Sequence, residues 1–259
     1  MISETEITRA IVKNYLDDFL DFLELDVAIA GAGPSGLVAA RYIAEKGFKV
    51  GVFERKLSVG GGIWGGGMLF PKIVIQKEAT RVLDDFEIKY KEFAPDLYVS
   101  DAIEVVSKLV SKVCDFGAKI FNCIVVEDII IRENTIAGFV INWSPVEISG
   151  LHVDPLAISA KICIDATGHD AAICRLVEKK VSSLKTKSGK VEGEKSMWSE
   201  ISEKMVVENT KEVYPNLYVC GMAANTVFGA PRMGPIFGGM FLSGKKVAEL
   251  IVSKLKGER

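Results

Sequence analysis

The chain has 259 residues, 49% hydrophobic and 25% charged, with 32 Lys and Arg against 34 Asp and Glu for a net charge of −2. It can bury a large core, and its dispersed, nearly balanced charge argues against a nucleic-acid partner. No apolar run reaches the ~20 residues that span a bilayer, and the first residues do not read as a secretory signal. The five cysteines, Cys114, Cys123, Cys163, Cys174 and Cys220, form no C-x-x-C pair, which argues against a disulfide framework or zinc knuckle. These features predict one domain over residues 1–259, in the reducing cytoplasm, with no membrane partner.

Residues 1–24 read as a helix. Ile7, Ile11, Tyr15, Leu16, Phe19, Leu20 and Leu23 recur at three- and four-residue steps, a stripe suited to the core or to a partner subunit. The period then changes to a short apolar strand over residues 25–30, followed by Gly31-Ala32-Gly33-Pro34-Ser35-Gly36, a helix over residues 35–46 stopped by Gly47, and a second strand over residues 49–53 ending in Glu54-Arg55. In such a βαβ unit Gly31 permits the turn, Gly33 admits a pyrophosphate, Gly36 allows close helix packing, and the helix N-terminus, with Ser35, faces the phosphates. Glu54, 18 residues after Gly36, is placed to hold ribose hydroxyls and disfavours a 2′-phosphate, so NAD or FAD is expected rather than NADP.

Residues 60–67 hold six glycines in eight positions, with Trp64, Met68, Leu69 and Phe70 beside them. That mix predicts an ordered loop near the cofactor, a flexible lid being the alternative. Helical spacing recurs over residues 77–86 and 101–116. Strand patterns over 119–126, 128–132 and 136–143, with Glu133-Asn134 between the last two, suggest an inserted sheet. Further strands are expected at 158–165 and 217–222, and a last helix reaching about residue 255. The element order is α/β, a Rossmann-like FAD/NAD-binding domain of the glutathione-reductase-like type with an inserted β-sheet and an N-terminal helix.

The only two histidines both stand beside carboxylates, His152 in Gly150-Leu151-His152-Val153-Asp154-Pro155 and His169 in Asp165-Ala166-Thr167-Gly168-His169-Asp170. Imidazole and carboxylate together suit proton transfer or metal binding, and hydrogen-bonded structural histidines are the bland alternative. Arg232, in Arg232-Met233-Gly234-Pro235, can grip a carboxylate with two parallel hydrogen bonds, or form a surface ion pair.

Taken together, residues 31–36 with Glu54-Arg55, residues 60–67, 150–155, 166–170, Gly193-Glu194-Lys195-Ser196-Met197-Trp198, and 232–235 resemble the NAD-consuming thiazole synthases of thiamine biosynthesis over nearly the whole chain. The resemblance implies that NAD is a substrate, joined with glycine and sulfide into an ADP-thiazole carboxylate with release of nicotinamide. In the suicidal branch of that family a cysteine donates its sulfur from the position held here by His152, so His152 implies the branch that uses free sulfide and Fe(II) and turns over repeatedly. The resemblance further implies Fe(II) on Asp154 and His169 from neighbouring subunits of an oligomer, commonly an octamer, with His152, Asp154 and His169 as the catalytic set. It implies nucleotide contacts from Gly31, Gly33, Ser35, Gly36, Glu54, Arg55, Gly62, Val126, His152, Val153, Asp154 and Met222, and glycine held by Arg232. A flavin-dependent oxidoreductase shares the opening fingerprint but usually carries a larger substrate domain. A non-catalytic nucleotide-binding protein would explain residues 31–36 but not Asp154 and His169.

Overall fold

In the computed structural model, which describes residues 2–181 and 183–257, the chain begins with α1 (Glu4–Asp21). The Ser3 hydroxyl accepts from the Glu6 amide, and Glu4 and Glu6 occupy the first turn, where acid favours a helix start. The expected βαβ unit follows as β1 (Glu24–Ala30), α2 (Pro34–Ala44) and β2 (Val50–Glu54). Pro34 opens α2, where its missing N–H costs nothing. The two strands pair in parallel, Val27 opposite Val50 and Ala30 opposite Phe53.

Next come β3 (Lys72–Gln76), α3 (Lys77–Asp85), β4 (Tyr90–Ala94) and β5 (Leu97–Asp101). Their three strands form a separate antiparallel sheet in the order β3-β5-β4. The Asp101 carboxylate accepts from the amides of Ile103 and Glu104 and so caps α4 (Ala102–Asp115). The chain continues through β6 (Lys119–Asn122), β7 (Ile124–Arg132), β8 (Thr135–Trp143), α5 (Ser144–Ser149), β9 (Leu156–Asp165), α6 (Ala172–Glu178), α7 (Ser199–Glu208), β10 (Lys211–Tyr214), β11 (Leu217–Val219), α8 (Met222–Phe228) and α9 (Gly238–Leu255).

The main sheet has eight strands, ordered β10-β11-β9-β1-β2-β6, with the β7-β8 hairpin attached through β8 to β9. One edge of β9 serves two partners. Its first half pairs antiparallel with β8, Gly138 opposite Ser159, and its last residues pair in parallel with β11, Asp165 opposite Val219. Side chains alternate between two apolar layers: Val27, Ile29, Val52 and Ile164 pack with α2, α4 and α9, while Ala28, Ala30, Phe53 and Cys163 pack on the other face with α8 and the hairpin. A parallel sheet covered on both faces reads as continuous apolar strands, as these do.

The α/β class and the opening unit match the sequence reading, but the inserted sheet does not lie where it was expected. The chain turns at Cys123, which takes a positive φ of 56°, rather than between residues 126 and 128. As a result β6 joins the parallel sheet beside β2, and residues 124–143 form one hairpin on the same sheet. The separate sheet is β3-β5-β4, whose hairpin turns at Asp96, φ 62°. The last strand also ends earlier than expected, at Val219, because α8 begins at Met222.

Candidate active site

Parallel strands end on one side of the sheet, and there a cavity of about 910 Å³ opens between the turn after β1, the glycine-rich loop, the end of β9 and the segment before α9. Clefts at the carboxyl ends of parallel strands are where α/β proteins bind ligands. Gly31, Gly33, Ser35, Glu54, Arg55, Gly62, Val126, Met222, His169 and Arg232 all line it.

Gly31 has a positive φ of 100°, and a Cβ there would lie 2.5 Å from the Ala166 carbonyl oxygen, so the turn can press on the end of β9 only as glycine. Gly36 is not on the wall, and a Cβ there would strike the Gly31 carbonyl, so its part is to let α2 pack close. At Gly33 a Cβ would meet nothing within 4 Å, so open space lies in front of the start of α2. Ser35 lines the same cavity, its hydroxyl buried against Gly221, where a Cβ would come within 2.3 Å of it, and without a hydrogen-bond partner among the described residues. A helix N-terminus that faces open space fits a phosphate.

Glu54 is buried, and its carboxylate accepts from the amides of Ala32 and Lys56, both at 2.9 Å. It therefore braces the phosphate turn against β2 as well as facing the cavity. The glycine-rich loop is ordered. Residues Gly61–Gly65 form a 3-10 turn, the Gly60 amide donates to the Ala32 carbonyl at 2.8 Å, and the Trp64 ring N–H donates to the Val59 carbonyl at 2.6 Å.

At the other end of the cavity, Asp165 is fully buried and accepts from the Thr167 amide and hydroxyl and from the Cys174 amide. Those bonds fix the turn that presents His169 on the wall. Its Nδ1 lies 2.6 Å from a carboxylate oxygen of Glu194, and its carbonyl accepts from the Thr226 hydroxyl. Arg55 pairs with Asp170 at 3.0 Å across the neighbouring wall. Arg232 is exposed on the wall and makes no ion pair among the described residues.

His152, Val153 and Asp154 lie outside the wall. They occupy an exposed stretch after α5, held through the Asn142 amide, which donates to the Val153 carbonyl at 3.2 Å. The structure thus brings His169 and Arg232 to one cavity within a single chain but not Asp154 or His152. Among the described residues no three His, Cys, Asp or Glu gather as a metal set. The two residues implied for iron nonetheless have the right chemistry: the Asp154 carboxylate is exposed and has no ion pair among the described residues, and a carboxylate on Nδ1 of a neutral His169 leaves Nε2 as donor. No cysteine lines the cavity, and burial pushes the thiols of Cys163, Cys174 and Cys220 well above their ordinary range.

Glu194 and Asp165 carry weight that the sequence reading did not give them. Glu194 sits in Val191-Glu192-Gly193-Glu194-Lys195, which reads as a solvated charged run. The signal for Asp165 was its place at the end of an apolar strand, just before the small-residue turn Ala166-Thr167-Gly168.

Fold and cavity define an α/β protein of the Rossmann-like type with a His/Arg pocket beside its first glycine turn. The model of the Thi4 family matches residues 8–237. A thiamine thiazole synthase of Pyrococcus horikoshii is 58% identical over 99% of this chain and 100% of its own length, and one of Methanothermobacter thermautotrophicus is 54% identical over 98% and 99%. The crystal structure of THI4 from Thermovibrio ammonificans superposes with a TM-score of 0.95 at 46% identity, covering 98% of this chain and 99% of that one. The chain belongs to the Thi4 family.

Proposed function

We propose that this chain is a thiazole synthase of thiamine biosynthesis that joins NAD, glycine and sulfide into an ADP-thiazole carboxylate, releases nicotinamide, and turns over repeatedly. The names and full-length identity of its relatives support the thiazole synthase reading over the flavin oxidoreductase and the non-catalytic protein. The observation that carries repeated turnover is His152 where a donor cysteine would stand, with no thiol on the cavity wall.

In this reading the start of α2 and Ser35 take the pyrophosphate, and Glu54 takes the adenosine ribose. Gly62, Val126, Val153 and Met222 close on the rest of the nucleotide. Arg232 grips the glycine carboxylate with its unpaired guanidinium, which positions the amine for imine formation with the ring-opened ribose. His152 moves protons during ring opening, cyclisation and dehydration. Asp154 and His169 would hold Fe(II), which supplies a Lewis acid and a place for sulfide when bound.

Because His152, Val153 and Asp154 lie off the wall of their own cavity, we assign all three to the cavity of a second copy, in an oligomer such as an octamer. Exposed Trp64, Met68, Leu69, Phe70, Leu151, Met197 and Trp198, and the apolar residues Ile7, Ile11, Leu16 and Leu20 on α1, support such an assembly. No helix of the described residues is long and apolar enough to cross a membrane, and the free cysteines fit the reducing cytoplasm. Mass spectrometry of small molecules released from the purified protein tests the reaction, an adenylated thiazole being the expected ligand. Intact-protein mass after sulfide-supported turnover tests the sulfur source. An unchanged chain is expected, and loss of one sulfur per chain, leaving dehydroalanine, would overturn the reading.

A further inference from the structure

We propose that Glu194 is a positioning residue that fixes the ring orientation and tautomer of His169, so that Nε2 is the donor atom presented to the cavity. This rests on the reading of His169 as a metal ligand. The His169 side chain is 46% exposed, so little packing restrains its ring. Glu194 is only 19% exposed and stands 2.6 Å from Nδ1. A carboxylate has no proton to give, so this contact requires a proton on Nδ1, and in the neutral imidazole the lone pair then lies on Nε2. An imidazole without that partner is free to carry its proton on Nε2, where it cannot bind a metal.

The contact is built into the fold rather than made by a free side chain. The Glu194 backbone runs in an extended segment pinned on both sides: the Gly193 amide donates to the Thr226 carbonyl at 3.0 Å, and the Lys195 amide to the Ala230 carbonyl at 3.0 Å. Thr226 also holds the His169 carbonyl through its hydroxyl at 3.1 Å. The Arg232 amide donates to the Lys195 carbonyl at 2.9 Å, so the segment that orients His169 also sets the start of the Arg232 loop. One short segment, bridged at Lys195 to Pro231, thus registers the imidazole against the guanidinium across the same cavity.

The chain's two histidines make the test direct, because selective ¹⁵N-histidine labelling gives only their ring nitrogens. In the metal-free protein at pH 8, His169, assigned by comparison with a His169→Ala sample, is expected to show a protonated Nδ1 and a bare Nε2. Glu194→Ala should move the proton to Nε2, and Glu194→Gln, whose carbonyl still accepts, should keep part of the preference. Anaerobic Fe(II) titration should show a ~10–100-fold loss of affinity in Glu194→Ala and a smaller one in Glu194→Gln. A wild-type His169 already protonated on Nε2 would overturn the proposal without any variant having to fold. So would a Glu194→Ala protein with unchanged tautomer, or with wild-type Fe(II) affinity while His169→Ala has lost it. Should His169→Ala bind Fe(II) as tightly as wild type, the ligand reading falls, and the tautomer measurement alone then decides the role of Glu194.

Discussion

The two ends of the cavity are built differently. At the nucleotide end, Ser35 and Glu54 are buried, Gly31 is locked against Ala166, and β1, α2 and β2 all come from the first 54 residues. At the chemical end, His169 and Arg232 are exposed on loops, and His152 and Asp154 stand off the wall altogether. In the proposed reading a single chain therefore preorganises recognition of the nucleotide but leaves the reacting groups unfinished. That division is what a site completed by a second copy requires.

The largest test of this contrast is to cut the chemical end alone. His169→Ala and Asp154→Ala should each lower sulfide-dependent thiazole formation by more than ~100-fold, since even residues behind a metal ligand cost about 10–100-fold, while NAD still binds. If the site is shared, oligomers co-assembled from the two variants should recover roughly a quarter of wild-type sites by random mixing. Anaerobic assays with added Fe(II) decide it. Wild-type turnover in either single variant would return both residues to structural roles, and a co-assembled oligomer as inactive as its parents would put the whole site in one chain.

The same contrast explains what the sequence could and could not disclose. The nucleotide end is local: strand, glycine turn, helix and Glu54 fall within 31 residues of each other, from Glu24 to Glu54, so spacing alone places them. The chemical end is assembled from distant segments, Glu194 meeting His169 from 25 residues away, and no periodicity encodes such a pairing. The β3-β5-β4 sheet was missed for another reason. Its strands are five residues each, and in β3 Ile73 and Ile75 are buried while Lys72 is exposed and Val74 and Gln76 half-buried, a pattern too short to stand out beside the helix at Lys77–Asp85. The Pro95-Asp96 turn signal was legible there and marks the hairpin.

Glu54 sharpens the comparison because it braces the fold and, in the proposed reading, also holds the ligand. Glu54→Ala strands the amides of Ala32 and Lys56 as well as removing the ribose acceptor. Loss of bonds to a charged group predicts ~2–4 kcal/mol of lost stability and a ~10–100-fold weaker NAD affinity. Thermal melting and NAD titration on one sample check both. A variant that melts like wild type would deny the brace, and one that loses less than about threefold in affinity would place the ribose elsewhere.

Glu203 of α7 joins the two ends. Its carboxylate accepts from the Gly239 amide at 2.6 Å, at the start of α9, and α9 packs on α2 through Gly244 while following directly from the Arg232 loop. Burial, only partly offset by the Gly239 amide and the Gln76 side chain, pushes the Glu203 acid up to about 7 from an ordinary 4.5. Below about pH 4.5 the folded and unfolded chains both carry the neutral acid. As pH rises through about 7 the unfolded chain gives up its proton first, so stability falls across that window and stays lower above it. Glu203→Gln, neutral at every pH, should melt higher than wild type at pH 8 by the equivalent of ~1–3 kcal/mol, the gap closing by pH 5. Calorimetry at the two pH values checks this, and parallel pH profiles would show that Glu203 is ionised in the fold.

Ser35 gives the smallest effect and the cleanest separation of ligand from fold. Its hydroxyl is 4% exposed and unpartnered, so in the free protein it is a buried polar group that contributes no hydrogen bond. Removing such a group relieves a desolvation cost, and Ser35→Ala should leave the melting temperature of the free protein unchanged or slightly raised. With the pyrophosphate at the start of α2 the same hydroxyl gains its partner, and its loss should weaken NAD binding by ~0.5–1.5 kcal/mol, about 2–12-fold. Glu54→Ala moves both quantities together, whereas Ser35→Ala should move only one. Equal NAD affinity in wild type and Ser35→Ala, measured by calorimetric titration, would mean that the phosphates pass the helix start at a distance and that the open space before Gly33 holds some other part of the ligand.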